Sequence, residues 1–357
     1  MIGTDVIRAL VALSFLLVNN SSDLWIAYVA TVILHTGGAF FDGAKNAAAP
    51  NLTGKDGLLA GTALLFSSRF LLMALGSALG GWASAVFGYK VAFVINAASF
   101  LVSAYTVWLI PEEATRDEKT GERMKKLGRA AAVPTEIEHA DEVATSEPRP
   151  SFFSELKEGI HYAATNHFAL TILLMNIIWA LGAGAMNIVF ERIGGVHFPL
   201  VEGWNPDVAV AVLWTACGLG LTAGMLLAHR TSFVLDRRDW NHGFIGWALI
   251  LHGVVFALAG VMPTLVLWAV MIFVSRLVVG VEYAVQETSF QRSLPDEIRG
   301  RISTLDRGAE MTIFGLVSYL TSELMYYITP QTLTVISGLV SGMAGVVWFI
   351  REKRKPS

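Results

Sequence analysis

"TLVLWAVMIFVSRLVVGVEYAVQE" (264–287) decides the fold. A helix needs about 20 mostly apolar residues to cross the hydrocarbon core of a bilayer. This stretch supplies them, with Arg276 and Glu282 as its charges before the closing Gln286 and Glu287. Nine further stretches qualify, at 2–19, 24–46, 57–86, 89–110, 168–190, 208–229, 242–260, 303–327 and 331–350. The expected fold is therefore an all-α polytopic membrane protein with about ten transmembrane helices. The turns "FGYK" (87–90) and "VMPT" (261–264) are so short that the spans they join must run antiparallel.

Composition agrees. Hydrophobic residues make up 54% of the 357, charged residues only 15%, and mean hydropathy is +0.54, where soluble domains carry about 25% charged residues. The lone Cys217 excludes a disulfide and a cysteine metal site. No His-Glu-x-x-His or phosphate loop occurs, and "GLGLTAG" (218–224) lies inside an apolar span rather than after a strand. The nearest approach to an interfacial enzyme cluster is Asp236, Asp239 and His242 in "LDRRDWNH" (235–242). No enzyme activity, cofactor, metal or nucleic-acid partner is expected.

The placement of basic residues gives orientation, because Lys and Arg collect in cytoplasmic loops. With the N-terminus in the cytoplasm, 22 of the 26 Lys and Arg fall on that side. They include Arg8, Lys45, Lys55, Arg299, Arg301 and the tail "REKRKPS" (351–357). Only Lys90 and Arg192 fall outside, while Arg69 and Arg276 lie within spans. Both termini are thus expected in the cytoplasm, and the protein in the inner (plasma) membrane.

Residues 111–150 carry mixed charge, Pro and Ser without apolar periodicity, as a solvated linker does. "SFFSELKEGIHYAATN" (151–166) then sets Phe152, Phe153, Leu156 and Ile160 on one face, which suits a helix at the membrane surface. The expected domains are a four-helix N-terminal bundle (1–110), this linker and amphipathic helix (111–166), a six-helix C-terminal bundle (167–350) and the basic tail (351–357).

Sliding the chain by about 240 residues places "FFDGAKNAAAPNLTGKDGLLAG" (40–61) on "EYAVQETSFQRSLPDEIRGRIS" (282–303) and "VWLIPEE" (107–113) on "VWFIREK" (347–353). Two similar halves are a transporter pattern. In that register the spans at 168–190 and 208–229 have no counterpart before residue 1. The expectation is that two helices of twelve, about 60–75 residues, are missing from the front and that Met1 is an internal methionine.

Three stretches carry a resemblance: "MIGTDVIRAL" (1–10), "GSALGGWASAVFGYKVAFVINAASFLVSA" (76–104) and, most specifically, "FQRSLPDEIRGRIS" (290–303). They resemble helix three, helices five and six, and the loop between helices ten and eleven of the major facilitator superfamily. Within it the chain is similar to the drug and siderophore exporters of the enterobactin-exporter and macrolide-efflux kind. The resemblance implies two pseudo-symmetric bundles around a water-filled cavity lined by three of the spans present, 24–46, 168–190 and 264–287. It also implies gating or structural roles for Asp5, Arg8, Arg299, Gly300 and Arg301. Gly76 is followed by Ser77 where antiporters carry a Gly-Pro pair, and Gly80 and Gly81 keep a helix-packing role beside Arg69.

Each of the three spans has a polar stripe at helical spacing. Substrate-contact candidates are His35, Asn176, Asn187, Arg276 and Tyr283, and Asp42, Glu282 and Glu310 are candidate proton carriers. Arg276 lies roughly 18 Å into its helix. An unpaired arginine there costs at least about 2.5–3.5 kcal/mol, so it should meet an anionic substrate group or a carboxylate. A structural ion pair is the competing reading. For the residues near helix ends, ordinary enrichment of polar groups competes.

The function expected is proton-coupled export of amphipathic small molecules by a monomer, its partners being substrate, protons and the bilayer. A lysophospholipid transporter on the same fold, or a non-transporting membrane fragment, is the alternative. With one cavity wall absent, the chain by itself is not expected to transport.

Overall fold

The computed structural model describes residues 1–110, 152–238 and 240–352, with side chains undescribed at 43–67, 152–156, 352 and some positions within 229–241 and 291–300. The linker 111–150, tail residues 353–357, Asp239 and the side chains of Lys45, Lys55, Asp236 and Arg299 lie outside the described residues, as does Gly300 beyond its helical backbone. Among the described residues there is no strand. The helices are α1 Ile2–Ser14, α2 Leu24–Phe87, α3 Tyr89–Trp108, α4 Phe152–Thr165, α5 His167–Ala183, α6 Met186–Arg192, α7 Phe198–Glu202, α8 Pro206–Arg238, α9 Asn241–Ala259, α10 Leu265–Ser293, α11 Asp296–Leu324 and α12 Pro330–Glu352.

Among the described residues, eight segments are long and apolar enough to cross a membrane: Ser21–Asp42, Ser68–Phe87, Tyr89–Trp108, His167–Glu202, Pro206–Ala228, His242–Ala259, Leu265–Phe290 and Pro330–Arg351. Two of the ten expected spans fall short of that standard. Helix α1 has only 13 residues, and α11 opens with the charged run "DEIRGRISTLDRGAE" (296–310). The turn expected between 46 and 57 is also not found, since α2 is helical throughout. Pro50 removes one backbone donor there, but the Ala- and Leu-rich flanks favour helix.

Two compact units form: Met1–Phe66 with Ala83–Glu147, and Ser67–Trp82 with Pro148–Ser357. In the first, α1 packs along α3, with Phe15 stacked on Phe93 at 4.6 Å between centroids. Gly88, at φ 80°, makes the turn from α2 to α3, a conformation that suits a residue without Cβ.

The second unit is built from closely crossing helices. Without a hydrophobic drive between helices in lipid, small residues that allow backbone approach decide which faces meet. A Cβ on Gly224 of α8 would lie 2.9 Å from Cα of Gly280 on α10. Gly253 of α9 faces Gly342 of α12, and Gly182 of α5 faces Ser341 of α12. Side-chain caps start two of these helices: Asn166 accepts from the Ala169 amide (2.9 Å) and Thr264 from the Leu267 amide (3.3 Å). Trp268, Phe190, Phe198 and Phe256 fill one buried cluster, and Trp348, Phe290, Met175 and Ile245 a second.

Candidate functional site

Three helices of the second unit bring polar side chains together in apolar surroundings. Gln286 of α10 donates through Nε2 to Asn176 Oδ1 of α5 at 2.9 Å. Asn176 Nδ2 then donates to both Asp306 oxygens of α11, at 3.0 and 2.9 Å. Gln286 is buried, and Asn176 and Asp306 are half-buried. The next residue of α11, Arg307, pairs with Glu310 at 2.7 Å and donates to the Tyr283 hydroxyl of α10 at 3.1 Å. Arg307 is 47% exposed and Glu310 12%, so the network reaches the surface of the unit at its guanidinium.

The charges do not balance. Glu310 pairs with Arg307, whereas Asp306 receives the Asn176 amide and forms no ion pair among the described residues, although the charge of neighbouring Arg307 acts on it. A carboxylate in a membrane helix that lacks a counter-charge must be stabilised by donors, by a proton or by a cation from outside.

The sequence-predicted residues divide between places. Asn176, Tyr283 and Glu310 belong to this network. Asn187, on α6, is exposed. Glu282, one residue before Tyr283, is 3% exposed and its Oε1 has no hydrogen-bond partner among the described residues. Arg276 is 2% exposed in the interior of the unit, where its guanidinium carbon lies 5.1 Å from the Phe256 ring centroid. In the first unit His35 is exposed and Asp42 half-buried on α2.

The gating and structural candidates sort similarly. Asp5 is fully buried, pairs with Arg8 at 3.2 Å and accepts from Ser103 of α3 at 2.6 Å. Arg8 lies over Phe100 at 4.2 Å, and a Cβ on Gly37 would come 3.0 Å from its Cγ, so the pair joins α1, α2 and α3. Arg301 forms an ion pair with Glu158 of α4 at 2.6 Å. Arg69 is exposed.

The expected glycine face needs correction. Gly81 packs against Ala211 of α8, and Gly218 of α8 would bring a Cβ within 2.8 Å of Ala74, yet a Cβ on Gly76 or Gly80 would meet nothing within 4 Å among the described residues. At about 100° per residue, Gly81 shares the Ala74 face while Gly76 and Gly80 project from the far side.

Sequence reasoning missed Asp306, Gln286, Ser103 and Glu158. The signal for Asp306 was its spacing from Glu310, four residues along one helical face. Gln286 was visible as an amide at the end of the apolar run of α10.

The sequence model of the Major Facilitator Superfamily matches residues 1–306, a stretch that includes Asn176, Gln286 and Asp306. The chain belongs to the Major Facilitator Superfamily. With its apolar helices this makes it a multi-pass membrane transporter. No match is found among the curated proteins.

Proposed function

We propose that this member of the Major Facilitator Superfamily is a proton-coupled exporter of amphipathic small molecules, of the drug and siderophore type. The observation that carries the reading is the Asp306 carboxylate, held by Asn176 and left outside the Arg307–Glu310 ion pair. Such a group holds either a proton or a positively charged ligand, and not both. That exclusion is what exchange of substrate for protons requires. Glu310 is engaged with Arg307, which makes it the weaker proton carrier, and Glu282, buried without a charged partner, is a second candidate.

The reading comprises about ten transmembrane helices in two repeated halves, with both termini in the cytoplasm of an inner-membrane monomer. Its support is the distribution of Lys and Arg and the register between 40–61 and 282–303.

Titration of ethidium, a fluorescent amphipathic cation, into the purified chain tests the site without requiring a transport cycle. Asp306→Asn should weaken binding by about tenfold or more, the scale of a lost charge-assisted contact. Glu310→Gln should weaken it less. Equal affinity for the wild type and Asp306→Asn would remove the proposal.

A further inference from the structure

Arg276 leaves a problem that the transport site does not solve. Its side chain is 2% exposed, and both Nε and Nη2 are buried without a hydrogen-bond partner among the described residues. No carboxylate pairs with it among the described residues. Arginine does not discharge by losing its proton, and a charge held in a low-dielectric interior needs a counter-charge.

A second orphan lies beside it. His252 of α9 is fully buried, and its Nε2 also has no partner among the described residues. Its other ring nitrogen, Nδ1, is 2.7 Å from the Ser275 hydroxyl, the residue preceding Arg276. Both side chains lie near the Phe256 ring. The Arg276 guanidinium carbon lies 5.1 Å from the Phe256 centroid, and the His252 ring stacks on the same ring at 6.1 Å with planes 15° apart. Helix α8 packs its backbone closely against the base of Arg276 here, since a Cβ on Gly220 would come 2.8 Å from Arg276 Cβ.

We propose that Arg276 and His252 form an interior binding site for a small monovalent anion of the halide class. Bound there, the anion accepts from Arg276 Nε and Nη2 and from His252 Nε2. It selects the tautomer in which Nε2 carries the hydrogen, with the Ser275 hydroxyl turned from the His252 carbonyl, which it meets at 3.3 Å, to donate to Nδ1. Water fits less well, because it would not neutralise the guanidinium. The site lies on α9 and α10 and shares no residue with the Asn176–Asp306 network, so either can fail without the other.

Thermal unfolding of the purified chain in lipid nanodiscs tests this, with sodium chloride, bromide or gluconate at equal ionic strength. Chloride and bromide should raise Tm saturably above gluconate, which is too large for the site. Arg276→Met should abolish the difference, and His252→Leu should reduce the apparent affinity. Should Arg276→Met fail to fold, chlorine-35 NMR of the wild type serves instead. Bound chloride broadens the line, and bromide competes that broadening away. Equal Tm in chloride and gluconate, a halide response that survives Arg276→Met, or an unbroadened line would each overturn the proposal.

Discussion

Asn176 Nδ2 meets both oxygens of one carboxylate, Asp306, at 3.0 and 2.9 Å, across 130 residues of sequence. Its amide oxygen is occupied by Gln286, which fixes the amide's direction. The donor order therefore runs from Gln286 through Asn176 to Asp306, and the negative charge ends the chain. Replacing Asn176 with Leu strips Asp306 of this donor and leaves the Gln286 amide unmatched. Unsatisfied buried polar groups cost about 1–3 kcal/mol each. Thermal unfolding should show Asn176→Leu clearly destabilised, and a Tm equal to the wild type would show that the amide chain contributes nothing.

Asp5 and Arg8 form a second buried node, joined to α3 through Ser103. Truncating one partner of a buried pair leaves the other charge uncompensated, at about 3–5 kcal/mol. Asp5→Leu should therefore destabilise far more than Ser103→Ala, which removes one hydrogen bond and leaves the ion pair intact. Comparable losses from the two variants would mean that Arg8 finds its compensation elsewhere.

The glycines of α2 separate by face. Gly81→Leu must push against Ala211, whereas Gly76→Leu enters open space. Overpacking a tight contact costs about 1–3 kcal/mol. Loss of stability confined to Gly81→Leu supports this packing, and equal effects at the two positions would contradict it.

The Glu158–Arg301 pair is partly open to solvent, with side chains 53% and 28% exposed. Exposed pairs contribute at most about 1 kcal/mol and are screened by salt. Glu158→Gln should lower Tm slightly at low ionic strength and not at high ionic strength. A large loss that salt leaves untouched would give this contact a different basis.

Much of the fold was legible because the bilayer imposes a length and a polarity on each span. The strongly apolar run of α10 was unmistakable, and the short turns beside α3 and α10 followed from Gly88 and Pro263. The unbroken α2 was not legible, since Pro50 and the glycines after it suggest a turn as readily as they tolerate a helix. At the site, one member of each contact was visible. Asn176, Tyr283 and Glu310 stood out as polar groups, but the partners of Asn176 and Tyr283 are set by which helices cross, and small residues at remote positions decide that. Arg276 shows the same limit. Its depth was readable, whereas its neighbours His252 and Phe256 come from another helix.

The central claim is that a proton and a cationic ligand exclude one another at Asp306. Proton release on ethidium binding, followed with a pH-sensitive dye in weakly buffered detergent solution, tests it most directly. The account predicts release near one proton per ligand in acid medium for the wild type, and none for Asp306→Asn where binding is still measurable. Undiminished release from that variant would contradict it.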